Sequence, residues 1–260
     1  MSDIHLSAAL PPAIPLPRVR KLAVADLRQA LAKGVDDFQT IPTQLIFLGL
    51  LYPVIGFVAA RGAMGGELLP LVFPLLAGLS LMGPVAAIGL YEISRRREAG
   101  QPVSWMSAFD VVKSPAIGGI FILGLILLIV FGLWIAVAQA IFNATVGPLA
   151  PDSMNSFAGQ VTHSPALVIL GNLAGACFAA FVLAISVVSF PMMLDRLCSP
   201  MLAVQTSLRA VAANPAMMAL WGVIVGVILV LGAIPALIGL AVAVPILGHA
   251  TWHLYRRTVA

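Results

Sequence analysis

Two histidines close to the C-terminus have the spacing of a ligand pair. His249 and His253 are four residues apart, so a helix places both imidazoles on one face, an arrangement also found at metal sites. A metal site needs further ligands, and the other histidines, His5 and His163, lie far away in the sequence. Haem would need an axial histidine from a facing helix, which this sequence does not offer. We therefore expect no metal and no other cofactor, with His249 and His253 kept as weak metal candidates.

The residues around the two histidines favour a structural role at a membrane surface. Trp252 and Tyr255 are of the type that lines membrane–water interfaces, and Arg256 and Arg257 are suited to lipid phosphates. We expect these four side chains to form an interfacial belt that anchors the end of the last helix.

The other polar side chains that could take part in chemistry lie mostly at the ends of apolar stretches. Charge inside a bilayer is tolerated mainly where function needs it, and no charged residue lies in the middle of such a stretch here. Asn172 is the clearest polar residue within one, and an interhelical hydrogen bond is favoured for it over a substrate contact. The candidate functional polar positions are Tyr91, Glu92, Asn172, Asp195, Arg196, His249 and His253.

Familiar catalytic patterns are missing from the sequence. It contains no GxxxxGK[ST] phosphate loop, no GxSxG or HExxH motif and no pair of catalytic carboxylates. We therefore predict no catalytic residues and no ATPase, hydrolase or protease activity.

The composition indicates a membrane protein. Of the 260 residues, 61% are apolar and only 9% are charged, whereas roughly a quarter of the residues in soluble domains are charged. The net charge of +4 does not indicate a nucleic-acid partner, because the fourteen Lys and Arg residues are scattered around long apolar runs and form no basic face. The expected partner is the lipid bilayer.

Uncharged stretches long enough to cross a bilayer separate the charged residues. A helix crosses the hydrocarbon core in about 20 residues. The last stretch, residues 210–255, is long enough for two spans with a turn at 232–235. We predict six spans, at residues 44–60, 68–93, 116–142, 166–193, 216–231 and 236–252.

The distribution of positive charge predicts the orientation. With these six spans, every Lys and Arg except Arg61 falls on one side of the membrane. Positive residues collect on the cytoplasmic side. We therefore predict a multi-pass protein of the bacterial inner (cytoplasmic) membrane with both termini in the cytoplasm.

A repeated pattern precedes three of the predicted spans. Pro42, Pro115 and Pro215 each precede a span and follow an amphipathic stretch. The apolar stripes of these stretches are Val24, Leu27, Leu31, Val35 and Phe38; Trp105, Ala108, Phe109 and Val112; and Met201, Val204, Leu208 and Val211. Asp37 is assigned to a polar face of the first stretch.

These features together predict the fold class, an all-α polytopic membrane helix bundle. It comprises about six transmembrane helices as three hairpins, each preceded by an amphipathic interfacial helix. Residues 1–22 form a disordered Pro-rich tether, and residues 23–260 form the membrane domain with units 23–94, 95–195 and 196–260. Kinks are expected at Pro84, Pro191 and Pro245, and close packing at the pairs Gly171 and Gly175, and Gly222 and Gly226.

Several short segments resemble one known family. They are Ser-Phe-Pro-Met-Met-Leu-Asp-Arg at 189–196, Ser-Leu-Arg-Ala-Val at 207–211 with Asn-Pro at 214–215, Ala-Leu-Trp-Gly at 219–222, residues 248–257, and Gly-Leu-Tyr-Glu-Ile-Ser-Arg-Arg at 89–96. These segments resemble the proteobacterial integral membrane proteins grouped as domain of unknown function 2189. The resemblance implies the membrane class over nearly everything after the tether, and it implies no established activity.

Three functions remain open on the sequence. The favoured hypothesis is a non-enzymatic accessory or assembly subunit of a larger membrane complex, with a respiratory complex as one candidate, that contacts other membrane-protein subunits. The alternative is a small-solute transporter or channel formed between the hairpins around Asn172. A third hypothesis is an enzyme acting on lipids with Glu92, Asp195 and His249 at the level of the headgroups.

Overall fold

The computed structural model describes residues 17–43, 54, 69–147, 154–235 and 237–260 of the protein, and these residues are helical with no strand among them. The α-helices are α1 (Val24–Thr40), α2 (Val72–Leu79), α3 (Gly83–Ala86), α4 (Ile88–Glu98), α5 (Ile117–Thr145), α6 (Met154–His163), α7 (Pro165–Ser186), α8 (Ser189–Arg196), α9 (Pro200–Ala213), α10 (Pro215–Ala233) and α11 (Leu240–Thr258). Shorter 3-10 helices occupy Leu69–Leu71, Ser80–Met82 and Trp105–Lys113.

Four helical stretches of the described residues are long and apolar enough to cross a membrane. They are Leu69–Glu98, Ile117–Thr145, Pro165–Arg196 and Pro215–Ala233, and they correspond to the second to fifth predicted spans. The first predicted span, 44–60, lies outside the described residues. The sixth corresponds to α11, which is less apolar and largely buried against other helices. The predicted total of six spans in three hairpins is therefore not established.

The α-helix is interrupted near two of the three prolines at which kinks are expected. In the second span, the 3-10 helix Ser80–Met82 and a turn at Ala87 flank α3, which contains Pro84, and in the fourth a turn at Val187 and Val188 precedes Pro191. A proline ring cannot donate the helical hydrogen bond and clashes with the preceding turn, which accounts for both breaks. Pro245 differs, since α11 runs through it from Leu240 to Thr258 without a break.

In two of the amphipathic segments, several large apolar side chains of the predicted stripes lie on the exposed side of the fold. Trp105, Phe109 and Val112 are exposed, as are Met201 and Leu208. The residues that face the core are small or polar and comprise Ala203, Thr206, Ser207 and Ala210 in α9 and Ser107 with Val111 in the 3-10 helix. The large apolar side chains of these segments are thus available to lipid. The Ser199 cap and Pro200 start of α9 are confirmed, with Leu202 N donating to Ser199 Oγ at 3.3 Å.

Helix α1 packs against α11 through a close backbone approach. The buried residues of α1 are Leu27, Ala30, Gly34 and Asp37, which share one helical face. A Cβ atom at Gly34 would lie 2.6 Å from the backbone nitrogen of Ala250. Only glycine permits this separation, and small residues allow helices to approach in the same way within membranes. Gly34 therefore sets the distance between α1 and the end of α11.

In each of the two predicted glycine pairs, one glycine packs closely against a neighbouring helix and the other does not. A Cβ atom at Gly175 would lie 3.3 Å from the Trp134 side chain, and one at Gly222 would lie 3.3 Å from Leu183. Gly171 and Gly226 face open space, as far as the described residues extend. Each pair therefore contributes one packing contact rather than a continuous groove.

The segment before α1 is attached to the C-terminus. Val19 forms an isolated antiparallel bridge with Val259, and Arg20 N donates to Thr258 O at 2.8 Å. The Asn214 side chain accepts from Leu22 N at 2.8 Å and donates to Arg20 O at 3.0 Å. Residues 17–22, the last part of the predicted tether, thus have defined partners, whereas residues 1–16 lie outside the described residues.

We expect Gly34→Ala to destabilise the fold, although alanine normally favours a helix over glycine by about 1 kcal/mol. The added methyl group would collide with the Ala250 backbone and force α1 away from α11. The measurement is the thermal midpoint of the helical circular dichroism signal in detergent. Gly132→Ala is the matched control, because nothing lies within 4 Å of its new methyl group. An unchanged or higher midpoint for Gly34→Ala would contradict the close approach.

Candidate functional site at the polar end of the bundle

A buried carboxylate lies where α1, α4 and α11 meet. Asp37 is 2% exposed. Its Oδ2 atom accepts hydrogen bonds from Ser94 Oγ at 2.5 Å and from His253 Nε2 at 2.8 Å, and its Oδ1 atom accepts from Arg97. Arg97 also pairs with Asp36 at 2.8 Å. We call Asp37, Ser94, Arg97, His249 and His253 the Asp37 cluster.

The hydrogen bonds of the cluster fix the tautomer of His249. The single hydroxyl proton of Ser94 is donated to Asp37, so His249 Nδ1, 2.8 Å from Ser94 Oγ, must carry the proton of that second bond. His249 Nε2 then has a lone pair, and this buried atom has no hydrogen-bond partner among the described residues. By the same reasoning His253 Nε2 donates to Asp37, because a carboxylate only accepts.

The electrostatics of the cluster favour the charged form of Asp37. Burial alone would raise the pKa of this carboxyl group, but the hydrogen bonds from His253, Ser94 and Arg97 outweigh burial and lower the pKa to about 2. Asp37 is therefore a permanent anion at neutral pH. Its charge is offset by Arg97, which is partly exposed at the edge of the cluster.

Glu92 of α4 is the centre of a second group of ion pairs. It is 3% exposed and accepts from Arg95 Nε at 2.8 Å and from Arg96 Nε at 2.5 Å. Arg96 continues to Asp110 at 2.9 Å, which joins α4 to the 3-10 helix Trp105–Lys113. The two helices meet closely at Gly89, where a Cβ atom would lie 2.8 Å from that of Ala108. Both Glu92 oxygens are thus engaged by guanidinium groups.

The end of α11 makes a third group of contacts with α4 and α8. Tyr255 donates its hydroxyl proton to Asp195 Oδ2 at 2.7 Å and accepts from Arg196 Nε at 3.3 Å. Trp252 Nε1 donates to Glu98 Oε2 at 2.9 Å. Arg256 contacts both carboxylates at 3.2 Å.

These contacts correct the predicted interfacial belt. Trp252 and Tyr255 are each 1% exposed, so they lie in the protein core and do not face lipid. Arg256 and Arg257 pair with carboxylates of the chain, with Arg257 at 2.9 Å from Asp26. The belt prediction was wrong because the aromatic and basic residues of α11 find partners within the protein, which the sequence alone does not show.

Five of the seven candidate polar positions belong to the three groups of contacts. His249 and His253 lie on one face and join the Asp37 cluster, while Glu92, Asp195 and Arg196 belong to the other two groups. Tyr91 is buried beside them at 2% exposure. Asn172 lies apart, on an exposed face of α7, where its Nδ2 donates to Val168 O at 2.8 Å.

Asp37, Ser94 and Arg97 are the members of the Asp37 cluster that the sequence analysis did not single out. Asp37 follows Leu27, Ala30 and Gly34 at helical spacing, so it belongs to the small-residue face of α1. The large apolar residues had suggested a different face. The small residues Ala30 and Gly34 were the signal that indicated the true contact face.

The Asp37 cluster offers little room for metal ligation. No group of three or more His, Cys, Asp and Glu residues in the described ranges has an arrangement that could hold a metal ion. His253 Nε2 and His249 Nδ1 are both engaged by hydrogen bonds. The Asp37 cluster stabilises the charge of a buried carboxylate and joins the ends of α1, α4 and α11. Asp37, Ser94 and His249 are closed to solvent.

We expect Asp37→Asn to lower the free energy of unfolding by about 2–4 kcal/mol, because the amide leaves the Arg97 guanidinium and the buried imidazole donor of His253 without their acceptor charge. Denaturant titration in detergent measures this change. Asp36→Asn is the control at the neighbouring position; since Asp36 is exposed, its loss is expected to cost no more than about 0.5 kcal/mol. Equal effects of the two substitutions would show that burial of Asp37 has no energetic consequence.

The lowered pKa of Asp37 predicts an acid-sensitive contribution to stability. The folded pKa of about 2 lies below the unfolded value of about 3.9. The contribution is therefore complete above the unfolded pKa and is lost as the pH falls through the folded pKa. Unfolding midpoints measured from pH 7 to pH 2 should show a constant gap between wild type and Asp37→Asn down to about pH 4, and a shrinking gap below it. A stability difference between wild type and Asp37→Asn that grows on acidification would contradict the lowered pKa of Asp37.

One protein family matches the chain. The family described as predicted integral membrane proteins, domain of unknown function 2189, matches residues 72–195. This range contains the segment at 89–96 and the segment at 189–196 except for its last residue, and the segments at 207–222 and 248–257 lie beyond it. No curated protein and no solved structure matches the chain. With its long apolar helices, the chain is an integral membrane protein whose residues 72–195 are similar to a family of unknown function.

Proposed function

We propose that this protein is a non-enzymatic accessory or assembly subunit that contacts another integral membrane protein laterally, within the bilayer of a bacterial inner membrane. The observation that best supports this proposal is the composition of the exposed face of α7. It combines one amide side chain, Asn172, with the small residues Ala176, Ala179 and Ala180. Membrane helices pack where small residues allow close approach, and amide side chains form hydrogen bonds across such contacts.

The hydrogen bonding of Asn172 supports a partner at this face. Its Nδ2 donates to Val168 O of its own helix at 2.8 Å, and no contact to Oδ1 is present among the described residues. Asn172 is about 10 Å along α7 from Pro165, so its acceptor lies inside the apolar part of the span. An unpaired amide oxygen in hydrocarbon is costly. A donor from a neighbouring transmembrane helix removes that cost.

The pairing of the polar groups supports a role without catalysis. Glu92 is held by two arginines, Asp195 by Tyr255 and Arg256, and His249 by Ser94. A general acid or base must reach a substrate proton. Glu92 and His249 are 3% and 0% exposed, so their contacts suit stabilisation of the helix ends better than lipid chemistry.

The distribution of charge supports the orientation predicted from the sequence, in which both termini lie in the cytoplasm. The Asp37, Glu92 and Asp195 groups gather the Arg side chains of α4, α8 and α11 at one end of the described spans. Positive charge at one end of a helical bundle favours that end for the cytoplasm.

We expect the wild-type chain, purified in mild detergent, to retain a stoichiometric membrane-protein partner. Asn172→Leu should weaken retention about fivefold, since an interhelical amide hydrogen bond contributes about 1 kcal/mol. Gln139→Leu is the matched control, because Gln139 is a half-buried amide in a span whose Nε2 donates within its own helix to Asn143 Oδ1. A lone monodisperse homomer from wild type, or equal loss in both variants, would refute the proposal.

A crosslinking arm identifies what covers the face of α7. An Ala176→Cys variant in a Cys177→Ser, Cys198→Ser background places the thiol on that face. An adduct of higher mass with a second membrane protein supports the proposal. Crosslinking only to residues 44–60 of the same chain would show that the predicted first span occupies the face, and would overturn it.

A further inference from the structure

A basic depression lies beside the Asp37 cluster at the polar end of the bundle. Its volume is about 320 Å³, which is within the range of small-ligand sites. It lies between the segment before α1, α1 itself and the ends of α4 and α11. Its lining residues are Arg20, Lys21, Asp26, Lys33, Glu98, His253, Arg256 and Arg257.

The lining carries an excess of positive charge that the protein does not neutralise. Five of the lining side chains are cationic and two are carboxylates. The two carboxylates are already paired, Asp26 with Arg257 at 2.9 Å and Glu98 with Arg256 at 3.2 Å. The remaining cations, Arg20, Lys21 and Lys33, make no ion pair within the described part of the chain.

The depression is built from segments that are fixed in place. The Val19–Val259 bridge and the bond from Arg20 N to Thr258 O attach one wall to α11, and Asn214 attaches the same wall to the start of α10. Lys21 Nζ donates to Ala213 O at 2.5 Å. His253, whose Nε2 atom is bound to buried Asp37, forms part of another wall. Because the backbone that carries the cationic side chains is already fixed, an anion bound here would have to order only the side chains.

We propose that this depression binds a phosphate group through Arg20, Lys21 and Lys33. Guanidinium and ammonium groups form charge-assisted hydrogen bonds with phosphate oxygens, and guanidinium can do so in a bidentate manner. The site lies where the spans Leu69–Glu98 and Pro215–Ala233 meet the polar end. A phosphodiester of an anionic lipid headgroup at the membrane surface and a soluble phosphate both supply the required chemistry.

The test compares ligands on the full-length protein in detergent. The probes are inorganic phosphate, short-chain phosphatidylglycerol and short-chain phosphatidylcholine, each at constant ionic strength adjusted with chloride. The readout is the shift in thermal midpoint as a function of probe concentration. A phosphate site gives a saturable upward shift, with phosphatidylglycerol alone indicating a lipid headgroup and inorganic phosphate indicating a soluble source.

Variants separate this depression from general surface charge. Arg20→Gln with Lys33→Gln removes two lining cations that make no ion pair, so its ligand-free midpoint should match wild type while the half-saturating probe concentration rises at least tenfold. Arg18→Gln with Arg28→Gln makes the same change in net charge at exposed positions outside the lining and should keep wild-type binding. The absence of any saturable shift in wild type, or equal weakening in both double variants, would overturn the proposal.

Discussion

The buried charge of Asp37 is the constraint on which the polar end of this protein depends. A carboxylate taken out of water is stable only if donors surround it. Its donors come from two other helices, Ser94 and Arg97 from α4 and His253 from α11. Helices that are distant in the sequence must therefore meet at one point. The close approach of Gly34 to Ala250 is what brings the carboxylate within reach.

The molecule has two regions that are stabilised by different interactions. At the polar end, α11 is almost enclosed, and its histidines, aromatic residues and arginines form hydrogen bonds with α1, α4 and α8. Along α5, α7 and α10, many large apolar side chains are exposed, as lipid-facing residues are. The hydrogen bonds and ion pairs of the described residues are thus concentrated at one end, and the apolar faces are left for contact with lipid.

Polar residues therefore have different roles according to depth. Near the surface they pair with one another, as Glu92 does with Arg95 and Arg96, and their pairing stabilises the helix ends. Within the apolar region, the hydrogen bond that Asn172 makes among the described residues is to its own helix. The cations Arg20, Lys21 and Lys33 around the basic depression are exposed and make no ion pair in the described ranges, and they carry the proposed phosphate site.

The sequence by itself determined the membrane class, most span positions and several helix boundaries, because these depend on local properties. Runs of apolar residues, the Ser199 cap and the breaks near Pro84 and Pro191 act over a few residues. The tertiary structure alone decided which faces meet. Lipid is as apolar as the large side chains, so those residues do not mark the contact face, and small residues together with distant polar partners do. Asp37 became a core residue only through donors far along the chain, a relation that no local pattern contains.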